Sequence, residues 1–255
     1  MRWSIGWRVR EPPIKPRDAL FRLSPTPLVP LELMRAALRL FYTSFVRALP
    51  YALVPVVVLF ALAGACYLLG EAEYLGKAWA LYLIAGFLVL CPALMAPLVV
   101  QVHASAHERP VSGLEALRRG LRCFFPCLAG AALFMLAVGI GSVMFMLPGT
   151  YLFIALSFWW IAVVVDGLPV FKALMSSLRM VRGHWWHVAF GFSYIYPVVF
   201  CVNAFDVNMV SLSNQVVEAV VATLIAVVLS ALVPMFVSAN MVVIYHDLTL
   251  RRQRV

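Results

Sequence analysis

The sequence predicts an all-α fold: an integral membrane bundle of six transmembrane helices, with amphipathic helices at the membrane surface on one side. Three observations carry that expectation. Hydrophobic residues make up 64% of the 255 residues and charged ones 12%, with a mean hydropathy of +0.95. Soluble domains run near about 45–50% apolar and about 25% charged, and a domain of this size could not hide so much apolar surface. Six stretches approach the roughly 20 apolar residues needed to cross the hydrocarbon of a bilayer. With six spans threaded, nineteen of the twenty Lys and Arg residues fall on one side, and only Lys77 falls on the other, beside Glu71, Glu73, Asp206 and Glu218. A cytosolic globular enzyme, a disordered chain and a disulfide scaffold are all excluded by this composition.

Residues 1–27 read as a basic, Pro-rich cytoplasmic tail. They hold Arg2, Arg8, Arg10, Lys15, Arg17 and Arg22 among Pro12, Pro13, Pro16, Pro25 and Pro27, with no apolar stretch of the kind a signal peptide carries. Trp3 and Trp7 are its candidate membrane contacts. Residues 28–255 form the six-span domain, with spans at about 49–70, 79–100, 124–146, 150–165, 185–205 and 219–245. The fourth span is short, roughly 24 Å at 1.5 Å per residue. The sixth is long, with Pro234 as a kink point. Between the third and fourth, Pro148 and Gly149 predict a tight turn. Asp166 and Gly167 end the fourth span, and the Asp166 carboxylate is placed to cap a helix starting near Pro169. Basic residues favour the cytoplasmic side, so both termini are expected on the cytoplasmic side of the membrane.

Three segments preceding odd-numbered spans share a pattern: PLELMRAALRLFYTSFVRALP from Pro30, PVSGLEALRRGLRCFFP from Pro110 and PVFKALMSSLRMVRGHWW from Pro169. Each starts with Pro, which suits a first helical turn, contains an Ala-Leu pair and ends in aromatics. In the second, Leu114, Leu117 and Leu121 form an apolar stripe beside Arg118, Arg119 and Arg122. In the third, Phe171, Leu174, Leu178 and Val181 share a face away from Lys172, Ser176, Arg179 and Arg182. The expectation is three amphipathic interfacial helices, each leading into a pair of spans as a three-fold repeat. Their basic residues would lie near anionic headgroups, each contributing on the order of 1 kcal/mol. Trp185 and Trp186 would anchor at headgroup level. This accounts for the net charge of +9 without nucleic acid.

The run LPGTYLFIALSFWW (Leu147–Trp160), followed by Asp166-Gly167, Ser177 and RGHWW (Arg182–Trp186), resembles a pattern of bacterial multi-pass proteins. These are grouped with the membrane domain of glycerophosphoryl diester phosphodiesterase and related inner-membrane families. The closing YHDLTLRR (Tyr245–Arg252) is similar to their last-helix exit. The resemblance is clearest over residues 108–190 and 240–252. It implies a multi-pass membrane module and not the phosphodiesterase activity. That activity resides in a separate soluble barrel, and six spans leave no room for one of about 250 residues.

Candidate chemistry is sparse. His103 and His107 stand four residues apart, His184 and His187 bracket the Trp pair, and His246 precedes Asp247. Without a third ligand fixed by spacing they predict ordinary interfacial histidines and no metal site. Cys66, Cys91, Cys123, Cys127 and Cys201 form no CxxC pair and read as small apolar residues. No Asp, Glu, Lys or Arg stands at mid-span, which disfavours ion-coupled transport, and no GxSxG, HExxH or P-loop is present. The sequence therefore predicts a non-enzymatic, cofactor-free inner-membrane protein with a role in membrane or envelope organisation. Its membrane-lipid or partner contacts would be Arg118, Arg119, Arg122, Lys172, Arg179, Arg182, Trp185 and Trp186. The alternative is a transporter or permease-like unit for a lipid-like or apolar substrate, marked by a groove at Asn203 or Asn240.

Overall fold

Long apolar runs rich in Leu, Val, Ala and Phe form helices in a membrane because a helix satisfies its backbone hydrogen bonds within one segment. In a computed structural model, which describes residues 24, 26–70, 78–107, 111–195, 197, 201 and 216–253, such runs give nine helices and no strand among the described residues. They are α1 (Pro30–Gly70), α2 (Ala78–Ala106), α3 (Gly113–Arg122), α4 (Phe124–Met144), α5 (Met146–Leu156), α6 (Trp159–Val164), α7 (Val170–Val181), α8 (Trp185–Ser193) and α9 (Val216–Gln253). Four segments are long and apolar enough to cross a membrane: Pro30–Val58, Phe124–Val143, Met146–Val164 and Leu224–Arg252. Cys91–Ala106 is a shorter apolar helix at the place of the second predicted span. The fifth predicted span begins as α8, and most of its remainder lies outside the described residues, as do the tail over 1–23, Lys77 and Asn203.

The first amphipathic segment is not a separate helix. It is continuous with the first span in α1, which at 41 residues is roughly 61 Å long, about twice the hydrocarbon thickness. Leu33, Ala37, Leu40, Ser44, Ala48 and Ala52 recur every three or four residues and form the buried stripe of α1. The helix runs against α9 in the opposite direction: Leu28 just before it meets Asp247, and the Phe41 ring lies 6.1 Å from Phe236. Helix α2 packs between α1 and the α3–α4 pair.

Helices α4 and α5 form a hairpin, and its reversal differs from the expected Pro148-Gly149 turn. The one extended residue is Phe145 (φ −162°, ψ 146°), and both Pro148 and Gly149 belong to the first turn of α5. Proline fits there because a first-turn residue needs no N–H partner. Gly149 fits because a Cβ at that position would come within 2.2 Å of the Ser142 Oγ, so the two arms can touch only without one. Starting at Met146 lengthens the fourth apolar segment to 19 residues, roughly 28 Å, which removes its predicted shortfall.

That segment is broken at Ser157 and Phe158, between α5 and α6. The fully buried Ser177 hydroxyl of α7 bridges the gap, donating to the Ala155 carbonyl at 2.8 Å and accepting from the Phe158 N–H at 3.2 Å. A side-chain hydroxyl thus replaces ladder bonds that a straight helix would have made. On the α4 side, Gly130 lets the Trp159 ring lie directly on the backbone, where a Cβ would sit 2.1 Å from it.

Asp166 does not cap α7 as expected. The residue before α7 is Pro169, which makes no side-chain cap bond, and Asp166 instead accepts a hydrogen bond from the Tyr245 hydroxyl of α9. A long-range phenol has outcompeted a local backbone donor. Gly167 adopts φ +64°, the left-handed conformation that lets the chain leave α6, and the Leu168 N–H returns to the Ala162 carbonyl at 3.2 Å.

Candidate functional site

Helix α3 is built as a self-contained amphipathic turn unit. The Ser112 hydroxyl accepts from the Glu115 N–H at 3.3 Å, Glu115 pairs with Arg119, and Arg119 and Arg122 lie at the negative end of the helix dipole. It docks through its small residues. Ala116 is fully buried, and Gly120 presses on Pro97 of α2 so closely that a Cβ would meet the proline ring at 2.4 Å. The Tyr51 hydroxyl fixes the start of the helix, donating to the Gly113 carbonyl at 2.7 Å. The predicted stripe stands outside: Leu114, Leu117 and Leu121 are 78%, 41% and 59% exposed. Arg118 and Arg122 are exposed beside it, and Arg119 is half-buried.

Helix α7 follows the same logic with one change from the expected face. Ala173, Ser177, Met180 and Val181 are buried, Leu174 and Leu178 are half-buried at the edge, and Phe171 is exposed. The face read as one stripe is therefore split: Val181 is buried, Leu174 and Leu178 lie at the edge and Phe171 is outside. Lys172, Arg179 and Arg182 are exposed. Of the tryptophan pair, Trp186 projects outward. Trp185 is half-buried and stacks on Tyr151 of α5, with centroids 6.1 Å apart and an interplanar angle of 21°.

A polar cluster that the sequence reading missed lies where α8, α9 and the chain before α1 meet. Asp247 is 1% exposed, so its charge has to be met by neighbours rather than water. Its Oδ1 accepts from the Leu28 N–H at 2.7 Å, and its Oδ2 from Arg251 Nε at 2.8 Å, with His187 Nε2 3.0 Å away. Arg251 also donates to the Leu28 carbonyl at 2.7 Å, and His246 Nε2 lies 3.1 Å from the Ser24 carbonyl. The available signal was the i, i+4 spacing of Asp247 and Arg251 in YHDLTLRR. The carboxylate oxygens are occupied by donors from three elements, so the cluster acts as a clasp and presents no open acceptor to a substrate.

The His103 and His107 rings lie 4.4 Å apart and the His107 and His246 rings 6.2 Å apart. Among the described residues no group of three His, Cys, Asp or Glu side chains could hold a metal ion. Asn240 is fully buried, with its carbonyl oxygen accepting from the Tyr194 hydroxyl and its amide donating to the Gly191 carbonyl at 3.1 Å. Both ends of its side chain are occupied.

By the length and composition of its helices the chain falls in the class of helical membrane proteins. No family model, curated protein or solved structure matches it.

Proposed function

We propose that this is a non-enzymatic inner-membrane protein of six spans, both termini cytoplasmic, whose surface helices α3 and α7 engage anionic lipid headgroups in membrane or envelope organisation. One observation carries the reading. The fully buried residues of helix α3 are Ala116 and Gly120, and Leu114, Leu117 and Leu121 stay outside, beside Arg118 and Arg122. An apolar stripe bordered by guanidinium groups is complementary to an acyl surface under phosphate. Helix α7 repeats the arrangement with Phe171 and Met175 near Lys172 and Arg179, and Trp186 marks the headgroup level.

The three-fold repeat belongs to the same proposal. Ala37, Ala116 and Ala173, the alanines of the three Ala-Leu pairs, are each fully buried. Helix α3 lies on α2, α7 on α6, and the start of α1 on the end of α9, so each segment rests on the helix that precedes it in cyclic order. The resemblance to the phosphodiesterase membrane-domain group accords with such a module, and no activity is carried over from it.

The test is lipid retention. Protein purified in mild detergent is expected to carry phosphatidylglycerol or cardiolipin detectable by mass spectrometry, and the triple variant Arg118→Gln, Arg119→Gln, Arg122→Gln is expected to lose most of it. Unchanged retention by the variant would refute headgroup engagement. Reporters fused to the two termini should both read cytoplasmic; opposite sides would refute the six-span count.

A further inference from the structure

The tip of the α4–α5 hairpin is the most apolar exposed point of the described structure. Val143, Phe145, Met146 and Leu147 are 89%, 75%, 84% and 83% exposed, with Pro148 exposed beside them. Nothing here suits water: residues 123–165 contain no Asp, Glu, Lys, Arg or His. The two other segments on the predicted far side differ in kind, with Glu71, Glu73 and Lys77 in one and Asp206, Ser213 and Glu218 in the other.

The backbone at the tip is also economical in polar groups. A single residue, Phe145, separates the two helices. Its N–H donates to the Gly141 carbonyl at 3.2 Å and its carbonyl accepts from the Gly149 N–H at 3.3 Å. The Thr150 hydroxyl donates to the Met146 carbonyl at 2.9 Å, and Pro148 brings no N–H. These bonds satisfy part of the backbone at the reversal, as an apolar environment demands. Helix α4, at 21 residues, is roughly 31 Å long, so a tip at its end reaches just the far edge of about 30 Å of hydrocarbon. Alongside the tip, Met135, Leu136, Gly139, Ile140 and Val143 line an open groove of about 410 Å³ on the outer face of α4. A Cβ placed at Gly139 would meet no atom within 4 Å, so the groove is open there.

We infer that the α4–α5 hairpin crosses the hydrocarbon and ends at its far edge with no water-exposed loop, its tip and the α4 groove packing against phospholipid acyl chains. The inference rests on the membrane reading above and adds a wedge that the two polar far-side loops lack.

Two measurements test it. In the otherwise unaltered chain in native membranes, a diazirine amino acid at Leu147 is expected on illumination to yield a phospholipid adduct, read by intact mass. A crosslink to a second copy or to another protein would overturn the inference. In a background with the five native cysteines replaced by alanine, an impermeant maleimide applied from the far side is expected to label Glu73→Cys and Ser213→Cys but not Met146→Cys or Leu147→Cys. Equal labelling at all four positions would overturn it. If Glu73→Cys and Ser213→Cys also stay unlabelled, the six-span topology fails instead, and the adduct at Leu147 still decides where the tip lies.

Discussion

The start of α1 and the whole of α3 look alike in sequence: a proline upstream, an Ala-Leu pair and arginines at helical spacing. Their packing is opposite in one respect. α1 turns large side chains inward, Leu33 and Leu40 lying fully buried in the bundle together with Ala37. α3 turns only Ala116 and Gly120 inward and holds its three leucines outside. The difference teaches that an amphipathic pattern reports that a helix has an apolar face without saying what covers it. For α1 the cover is protein; for α3 we propose lipid. The clasp fixes the start of α1, where Leu28 is tied to Asp247 and Arg251.

The largest effect is expected from breaking that clasp. Asp247→Ala leaves Arg251, His187 and the Leu28 N–H without their shared acceptor in a buried site, a loss of about 3–5 kcal/mol. Thermal unfolding in detergent should show a large drop, and proteolysis near Leu28 should increase. A variant as stable as the native chain would mean that the start of α1 is held by apolar packing alone.

Leucine substitutions come next and test the comparison directly. Leu33→Ala or Leu40→Ala should cost about 2–5 kcal/mol through a cavity in the bundle core. Leu114→Ala on α3 should change detergent stability by no more than about 0.5 kcal/mol, as an exposed site, while weakening retention of lipid. Similar losses at Leu33 and Leu114 would erase the distinction between the two helices. Between the two leucine outcomes falls Gly120→Val, which forces side-chain atoms into the Pro97 ring. A cost of about 1–3 kcal/mol is expected from overpacking. Undocking of α3 should appear as faster hydrogen exchange over Gly113–Arg122 while α4 stays protected; unchanged exchange would show that the glycine contact is dispensable.

Much of this architecture was legible in the residues. Apolar runs located the helices, because a helix is the structure that satisfies backbone groups in hydrocarbon, and Pro234 was correctly placed inside the last one. The hairpin between Arg122 and Asp166 was visible as a long uncharged stretch with Pro and Gly near its middle. Its turn was misplaced by a few residues, since Pro148 can initiate a helix as readily as it can make a turn, and only contact with Ser142 decided between them. The cap assigned to Asp166 failed for a similar reason: the Tyr245 hydroxyl lies 79 residues away in sequence. The clasp at Asp247 combines three separated elements, and local spacing showed only its Arg251 component.

By itself the sequence determined that the chain is helical, that several helices are long and apolar enough to cross a membrane, and that its basic residues are ordered along the chain in alternating blocks. The tertiary structure decided which face each helix gives to the protein. The physical reason is that hydrocarbon receives a leucine about as well as a protein core does, so hydrophobicity does not choose between them. Close approach does choose, and it favours the small residues Ala116, Gly120, Gly130, Gly149, Ala173 and Ser177, whose partners are known only once the chain has folded.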